Sequence, residues 1–183
     1  MNNNLLIVGA GVYGVLASEI AIDMGCFGKI AFIDDFSTTS SNGIEVIGTT
    51  HDISKLSVEY GNIIVAIGNA DIRISLLKRI TEETTYNIVS LISPRAYVSP
   101  TAQIMNGCIV EPMAVIHTGC TISLGCIISA CAVVNHASLC CEGVHVDCNA
   151  TIEGYCTVPT RTKISAGETF REKILGSWDL KIH

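Results

Sequence analysis

The sequence predicts an α/β unit of Rossmann type followed by a left-handed parallel β-helix, and three observations carry the prediction. An apolar residue returns at every sixth position from Val98 to Phe170 without an insertion or a loss. An apolar run, Leu5-Leu6-Ile7-Val8, passes directly into Gly9-Ala10-Gly11-Val12-Tyr13-Gly14. Asp34 then stands twenty residues after Gly14, at the end of a second apolar run. A helix repeats near 3.6 residues and a simple strand near 2, so a period of six belongs to a solenoid of hexapeptide rungs. The division falls at residues 1–93 and 94–183.

In chain order, the continuous apolar run at Leu5 predicts a buried strand. The GxGxxG turn after it opens a helix reaching about Met24, with Val15, Leu16, Ile20, Ala21 and Met24 as its apolar side. Lys29 to Ile33 is a second strand, ending at Asp34-Asp35. The spacing from the glycines to Asp34 is the one at which a Rossmann unit holds the ribose of a nucleotide. Asn42-Gly43 marks a turn. Ile63 to Ile67 is a third strand closing on Gly68-Asn69, and Asp71 to about Glu82 a second helix. This is half the size of a two-lobed dinucleotide fold, which favours a nucleoside diphosphate carrying a sugar over NAD.

Within the solenoid, three hexads make one triangular coil, so residues eighteen apart lie one above another about 4.8 Å apart. That rule stacks His117, Asn135 and Glu153 in one column and Thr118, His136 and Gly154 in the next. His136 therefore points outward with bare Gly154 beside it, a slot suited to a slim ligand arm. His145 follows nine residues later. His51 and His183 are solvated surface residues on this reading.

The bulk numbers exclude several classes. Eleven Lys and Arg against seventeen Asp and Glu, a net charge of −6, argue against nucleic acid or an anionic membrane as partner. The apolar start is interrupted by glycines and carries Glu19 and Asp23, so it is neither a signal nor a spanning segment. Nine cysteines with no CxxC pair argue against zinc and for packed thiols in a reducing, cytoplasmic compartment. No metal site is expected.

These motifs resemble the bacterial sugar acetyltransferases that modify UDP-4-amino-sugars or sialic acids. The matching stretches are the glycine turn, Phe32-Ile33-Asp34-Asp35-Phe36, Ala66-Ile67-Gly68-Asn69 with Arg73, Leu91-Ile92-Ser93-Pro94, Val98-Ser99-Pro100, and Asn135-His136 with His145-Val146. The resemblance implies a cytoplasmic homotrimer that moves an acetyl group from acetyl-CoA to a nucleotide-linked amino sugar in glycan biosynthesis. It implies His136 as general base, with His145 and Asn135 completing the catalytic set. His145 and Gly154 would meet the cofactor. Gly9, Gly11, Tyr13, Gly14, Asp34, Asp35, Gly68, Asn69 and Arg73 would hold the nucleotide sugar.

Three departures accompany it. Ala137 stands where the family often has a carboxylate beside the histidine, so Asn135 or Glu153 would orient the ring. Tyr13 replaces a frequent histidine. The chain leaves the repeat at Arg171 and runs to His183, where the family continues to a Gly-Val-Pro segment at acetyl-CoA, which implies a cofactor site that is shortened, assembled differently or lost. The alternatives are a sialic acid or related sugar O-acetyltransferase, a non-catalytic trimeric sugar-nucleotide-binding relative with a lost acetyl-CoA site, and an NAD-dependent oxidoreductase resting on the glycine turn and Asp34 alone.

Overall fold

The structure, a computed structural model, describes residues 2–39 and 42–172. Four parallel strands form the first sheet: β1 (Leu5–Val8), β2 (Ile30–Ile33), β3 (Asn62–Val65) and β4 (Asn87–Ile88), in the order β2-β1-β3-β4. Three helices connect them: α1 (Val12–Met24), α2 (Ile53–Leu56) and α3 (Ala70–Glu83). β1 and β3 are wholly buried, as a strand covered on both sides must be. Helix α1 stops at Gly25, whose φ of 63° is the left-handed cap that ends a helix.

Fourteen two-residue strands follow among the described residues, from β5 (Leu91–Ile92) to β18 (Thr169–Phe170). Each of the thirteen hexad residues from Val98 to Phe170 is the second residue of one strand. The ladder begins one hexad before Val98, because Leu91–Ile92 already pairs with Ile109–Val110. The strands stack into three parallel faces. The first carries Ile109–Val110, Ile127–Ile128 and His145–Val146, the second Val115–Ile116 and Val133–Val134, the third Thr121–Ile122 and Leu139–Cys140. The rungs' inner residues, with Cys108, Cys120, Cys126, Cys140 and Cys156, fill one apolar core. Cys108, Cys120, Cys126 and Cys140 form no disulfide, and burial pushes the Cys140 thiol up, so these inner thiols act as small packing groups. Among the described residues no helix is long and apolar enough to cross a membrane.

The two parts are locked at a corner of the prism. Gly107, Gly125 and Gly143 lie eighteen residues apart with φ of 72°, 64° and 70°, and α3 packs against them. A Cβ on Gly125 would stand 2.7 Å from both Ile74 Cδ1 and Leu77 Cδ1. Arg73, fully buried, reaches across: Nε donates to the Gly125 carbonyl at 2.7 Å and Nη2 to that of Gly143 at 3.0 Å. The next residue of the column, Arg161, pairs with Asp71 of α3 at 2.9 Å. Helix α1 covers the first face through Leu91 and Ile109.

Candidate active site

A cleft of about 790 Å³ opens over the C-terminal ends of β1, β2 and β3, where an open α/β sheet takes its ligand. Its floor is the glycine turn. A Cβ on Gly14 would lie 2.0 Å from the Gly9 carbonyl, and Gly9 itself has φ of 106°, so these two glycines make the turn. A Cβ on Gly11 or Gly68 would meet nothing within 4 Å, so their bareness serves the cleft. Gly11 caps α1 with no side-chain hydrogen bond, and the first turn holds no acid. The unpaired N–H groups of a thirteen-residue helix thus face the cleft, a ready anion site.

The two acids at the end of β2 are both engaged. Asp34 Oδ2 accepts from the Ala10 N–H at 2.7 Å, and Oδ1 from those of Phe36 and Ser37 at 2.8 and 2.9 Å. Burial pushes this carboxyl up, but the three backbone donors outweigh it and hold it below its usual value. Asp35 grips Thr50, accepting from its N–H at 2.7 Å and its hydroxyl at 2.9 Å. Both acids line the cleft. Asn69 caps α3 by accepting from Ile72 N–H at 3.1 Å, outside the cleft wall. Arg73, expected at the substrate, is instead the corner clamp: its guanidinium is spent on the carbonyls of Ile67, Gly68, Gly125 and Gly143.

Tyr13 lines the cleft with its ring and turns its hydroxyl to the solenoid, donating to Glu111 Oε1 at 3.3 Å. Glu111 is 4% exposed, and Oε2 accepts from the Ala130 N–H at 3.0 Å. Burial raises the Glu111 carboxyl above its ordinary value, while these donors pull it back. Ser129, the neighbour of Ala130, lies 3.1 Å from His145 Nε2. Burial lowers His145 to about 4, against the attraction of Asp147, which is itself held by Lys163 at 2.8 Å.

His136 lies at the corner where the second face passes to the third, exposed to solvent. Asn135 Oδ1 is 2.8 Å from both the His136 backbone nitrogen and Nδ1. The backbone N–H can only donate, so the atom facing it is the oxygen and Nδ1 carries the proton. The Nε2 lone pair is thereby left available. Glu153, the other candidate to orient the ring, is paired with Arg171 at 2.9 Å. The slot at Gly154, expected to take a ligand arm, is filled by the imidazole itself: a Cβ there would meet Nε2 at 2.7 Å and Cε1 at 2.8 Å. The Tyr155 ring packs against the imidazole in a T-shaped contact, the centroids 5.0 Å apart. His136 and His145 stand on different faces with the third face between them, so the fold of one chain does not bring them together.

Thr50, Arg79, Glu111 and Tyr155 are not singled out in the sequence and join the site in three dimensions. Arg79 alone had a readable signal: with Asp71, Ile72, Ser75 and Leu76 it repeats along one face of α3. Segment 173–183, whose length bears on the expected cofactor site, lies outside the described residues.

Residues 4–80 match the PglD N-terminal domain family. The acetyltransferase domain of PglB from Neisseria gonorrhoeae FA1090, solved in complex with acetyl coenzyme A, is 34% identical. That match covers 94% of this chain and 84% of the other, with a TM-score of 0.90. PerB from Caulobacter crescentus, solved with CoA and GDP-perosamine, shares the fold at 20% identity and a TM-score of 0.70, covering 93% and 90% of the two chains. WeeI from Acinetobacter baumannii AYE does so at 16% identity and 0.56, covering 90% and 87%. No curated protein sequence matches. The glycine turn leading into a hexapeptide prism, and 34% identity along nearly its whole length to the acetyltransferase domain of PglB, show that this chain belongs to the PglD/PglB-type bacterial sugar acetyltransferases, acyltransferases built on a left-handed β-helix.

Proposed function

We propose that the protein transfers the acetyl group of acetyl-CoA to the amine of a nucleotide-linked amino sugar, with His136 as general base, in the cytoplasmic stage of making a surface glycan. The observation that carries this is the exposed imidazole whose Nδ1–H is fixed by Asn135 and whose Nε2 is free to accept a proton. The relatives support the partners: PglB was solved with acetyl coenzyme A, and PerB with CoA and GDP-perosamine. Acetyl-CoA supplies the acetyl group as an activated thioester. His136 Nε2 takes the proton that the amine sheds as its nitrogen bonds to the acetyl carbon, and the CoA sulfur departs with its bonding pair. Such a base contributes about 10²–10⁴-fold. The α1 N-terminus receives the diphosphate, and Asp34-Asp35 border the ribose.

His145, neutral above about pH 4, offers an N–H and no charge to the developing oxyanion. Since it stands a face away from His136, a second copy has to supply one of the two. The second face supports this: Tyr97 is 57% exposed, and Val115, Val133 and Thr151 beside it are partly open. Flat prism faces close about a threefold axis, and a trimer is the assembly proposed. Sedimentation at micromolar concentration should give three chains per particle; a monomer would remove the shared site. For the reaction itself, calorimetry should show acetyl-CoA binding to the wild type and to His136→Ala alike. No binding by either would leave the protein without its acetyl donor.

A further inference from the structure

The geometry points to Arg79 as the residue that reads the nucleobase, selecting a base with a ring carbonyl, uracil or guanine, over one with an amino group in that place. The inference rests on the nucleotide-sugar reading above and adds which base it carries.

The cleft runs along α3, whose residues Asp71, Ile72, Ser75, Leu76 and Arg79 form one wall. Eight residues separate its two ends, about 12 Å of helix at 1.5 Å per residue, the scale of an extended nucleotide. The Asp71 end adjoins the solenoid, since Asp71 is paired with Arg161 at 2.9 Å. The acceptor amine has to reach a histidine on a solenoid, so the sugar occupies this end. The base therefore occupies the other, which Arg79, Thr50, Asp35 and Phe36 enclose.

Among the described residues, Arg79 is the one basic side chain lining the cleft. It is held loosely: Nη2 donates to the Thr50 carbonyl at 3.3 Å, and Nε lies 4.0 Å from Glu83. A guanidinium has five N–H donors and no acceptor, so it retains donors for a ligand and none of its atoms can receive a base amino group. The acids at this end are turned to their own loops: both Asp35 oxygens accept from Thr50, and Asp34 from the backbone N–H groups of Ala10, Phe36 and Ser37. Phe36, 99% exposed on the cleft rim, offers a ring for stacking, which every base satisfies. The guanidinium, with one long hydrogen bond and a 4.0 Å ion pair, is the group at this end with donors left for a base edge. Uracil and guanine present a carbonyl oxygen where cytosine and adenine present an amino group, and arginine suits only the former.

The test is calorimetry of UDP, GDP, CDP and ADP against the wild type, Arg79→Met and Arg79→Lys, with acetyl-CoA binding as the control for a folded protein. The wild type should bind UDP over CDP, or GDP over ADP, by roughly ten-fold or more. Arg79→Met should bring the preferred nucleotide down to the level of its amino counterpart and leave acetyl-CoA unchanged. Arg79→Lys, which keeps the charge and loses the planar fork, should also lose most of the discrimination. Equal binding of all four by the wild type would overturn the assignment while leaving the nucleotide-sugar reading intact. So would an equal loss for all four in Arg79→Met with full recovery in Arg79→Lys, which would mark a phosphate contact. Failure of the wild type to bind any of the four would sink both readings.

Discussion

In the proposed reaction, the chemistry is concentrated in how one imidazole is held. Asn135 fixes its tautomer, Gly154 lies close against it, and Tyr155 packs on it edge to face. Gly154→Ala should act on catalysis and little else, since the new methyl would stand 2.7 Å from Nε2 and push the ring aside. We expect kcat to fall about 10²-fold or more with KM for the nucleotide sugar unchanged, because the general-base term is of that size. A Gly154→Ala enzyme with wild-type kcat would show that the ring can work from another position. Asn135→Ala should cost about ten-fold in kcat, the worth of one hydrogen bond, and Asn135→Asp should restore it because a carboxylate accepts the same proton. An unchanged rate in Asn135→Ala would mean that the tautomer is set elsewhere.

At the scale of elements, the corner glycines and Arg73 decide whether the cleft and the solenoid form one body. Arg73→Met keeps much of the side-chain volume but leaves the carbonyls of Ile67, Gly68, Gly125 and Gly143 without a donor. Each buried orphan costs about 1–3 kcal/mol, so the variant should lose at least about 3 kcal/mol. That corresponds to roughly 6–12 °C in Tm for a chain of this size, readable by differential scanning calorimetry. A Tm within a degree of wild type would show that water replaces the guanidinium. The same corner shows what a sequence conceals. The thirteen hexad residues all became rungs because the repeat is a local signal repeated many times. Asp34 and the glycine turn were equally legible, since their spacing is enforced by one strand and one helix. Arg73 was not: its place beside Asn69 suggests the cleft, and only the approach of α3 to residues fifty and seventy positions later reveals a clamp. Glu111 was silent for the same reason, as its partner Tyr13 is 98 residues away.

For the molecule as a whole, stability below neutral pH should carry the signature of His145. Its side chain is 17% exposed, and burial lowers it from 6.5 to about 4. Below pH 6.5 the unfolded chain binds a proton that the native state refuses, so His145's contribution is complete above 6.5 and is lost as pH falls toward 4. The full difference is up to about 3 kcal/mol. Glu111 works the other way: burial raises its carboxyl, so its contribution is present at low pH and lost as pH rises through 4.5 and above. Subtracting the His145→Gln curve from the wild-type curve isolates the histidine. The difference between the curves should grow with pH from 4 to 6.5 and then level off; a flat difference would mean that His145 protonates freely in the folded protein.

The central claim is acetyl transfer to an amino sugar with His136 as its base, and the most direct measurement follows thiol release from acetyl-CoA on adding UDP- and GDP-linked 4-amino sugars. The wild type should release one CoA thiol per amide formed. His136→Ala should bind acetyl-CoA normally and turn over about 10²–10⁴-fold more slowly, the range a general base supplies. Wild-type turnover in His136→Ala would contradict the account of this histidine. A wild type that binds both substrates and releases no thiol would contradict the reaction itself.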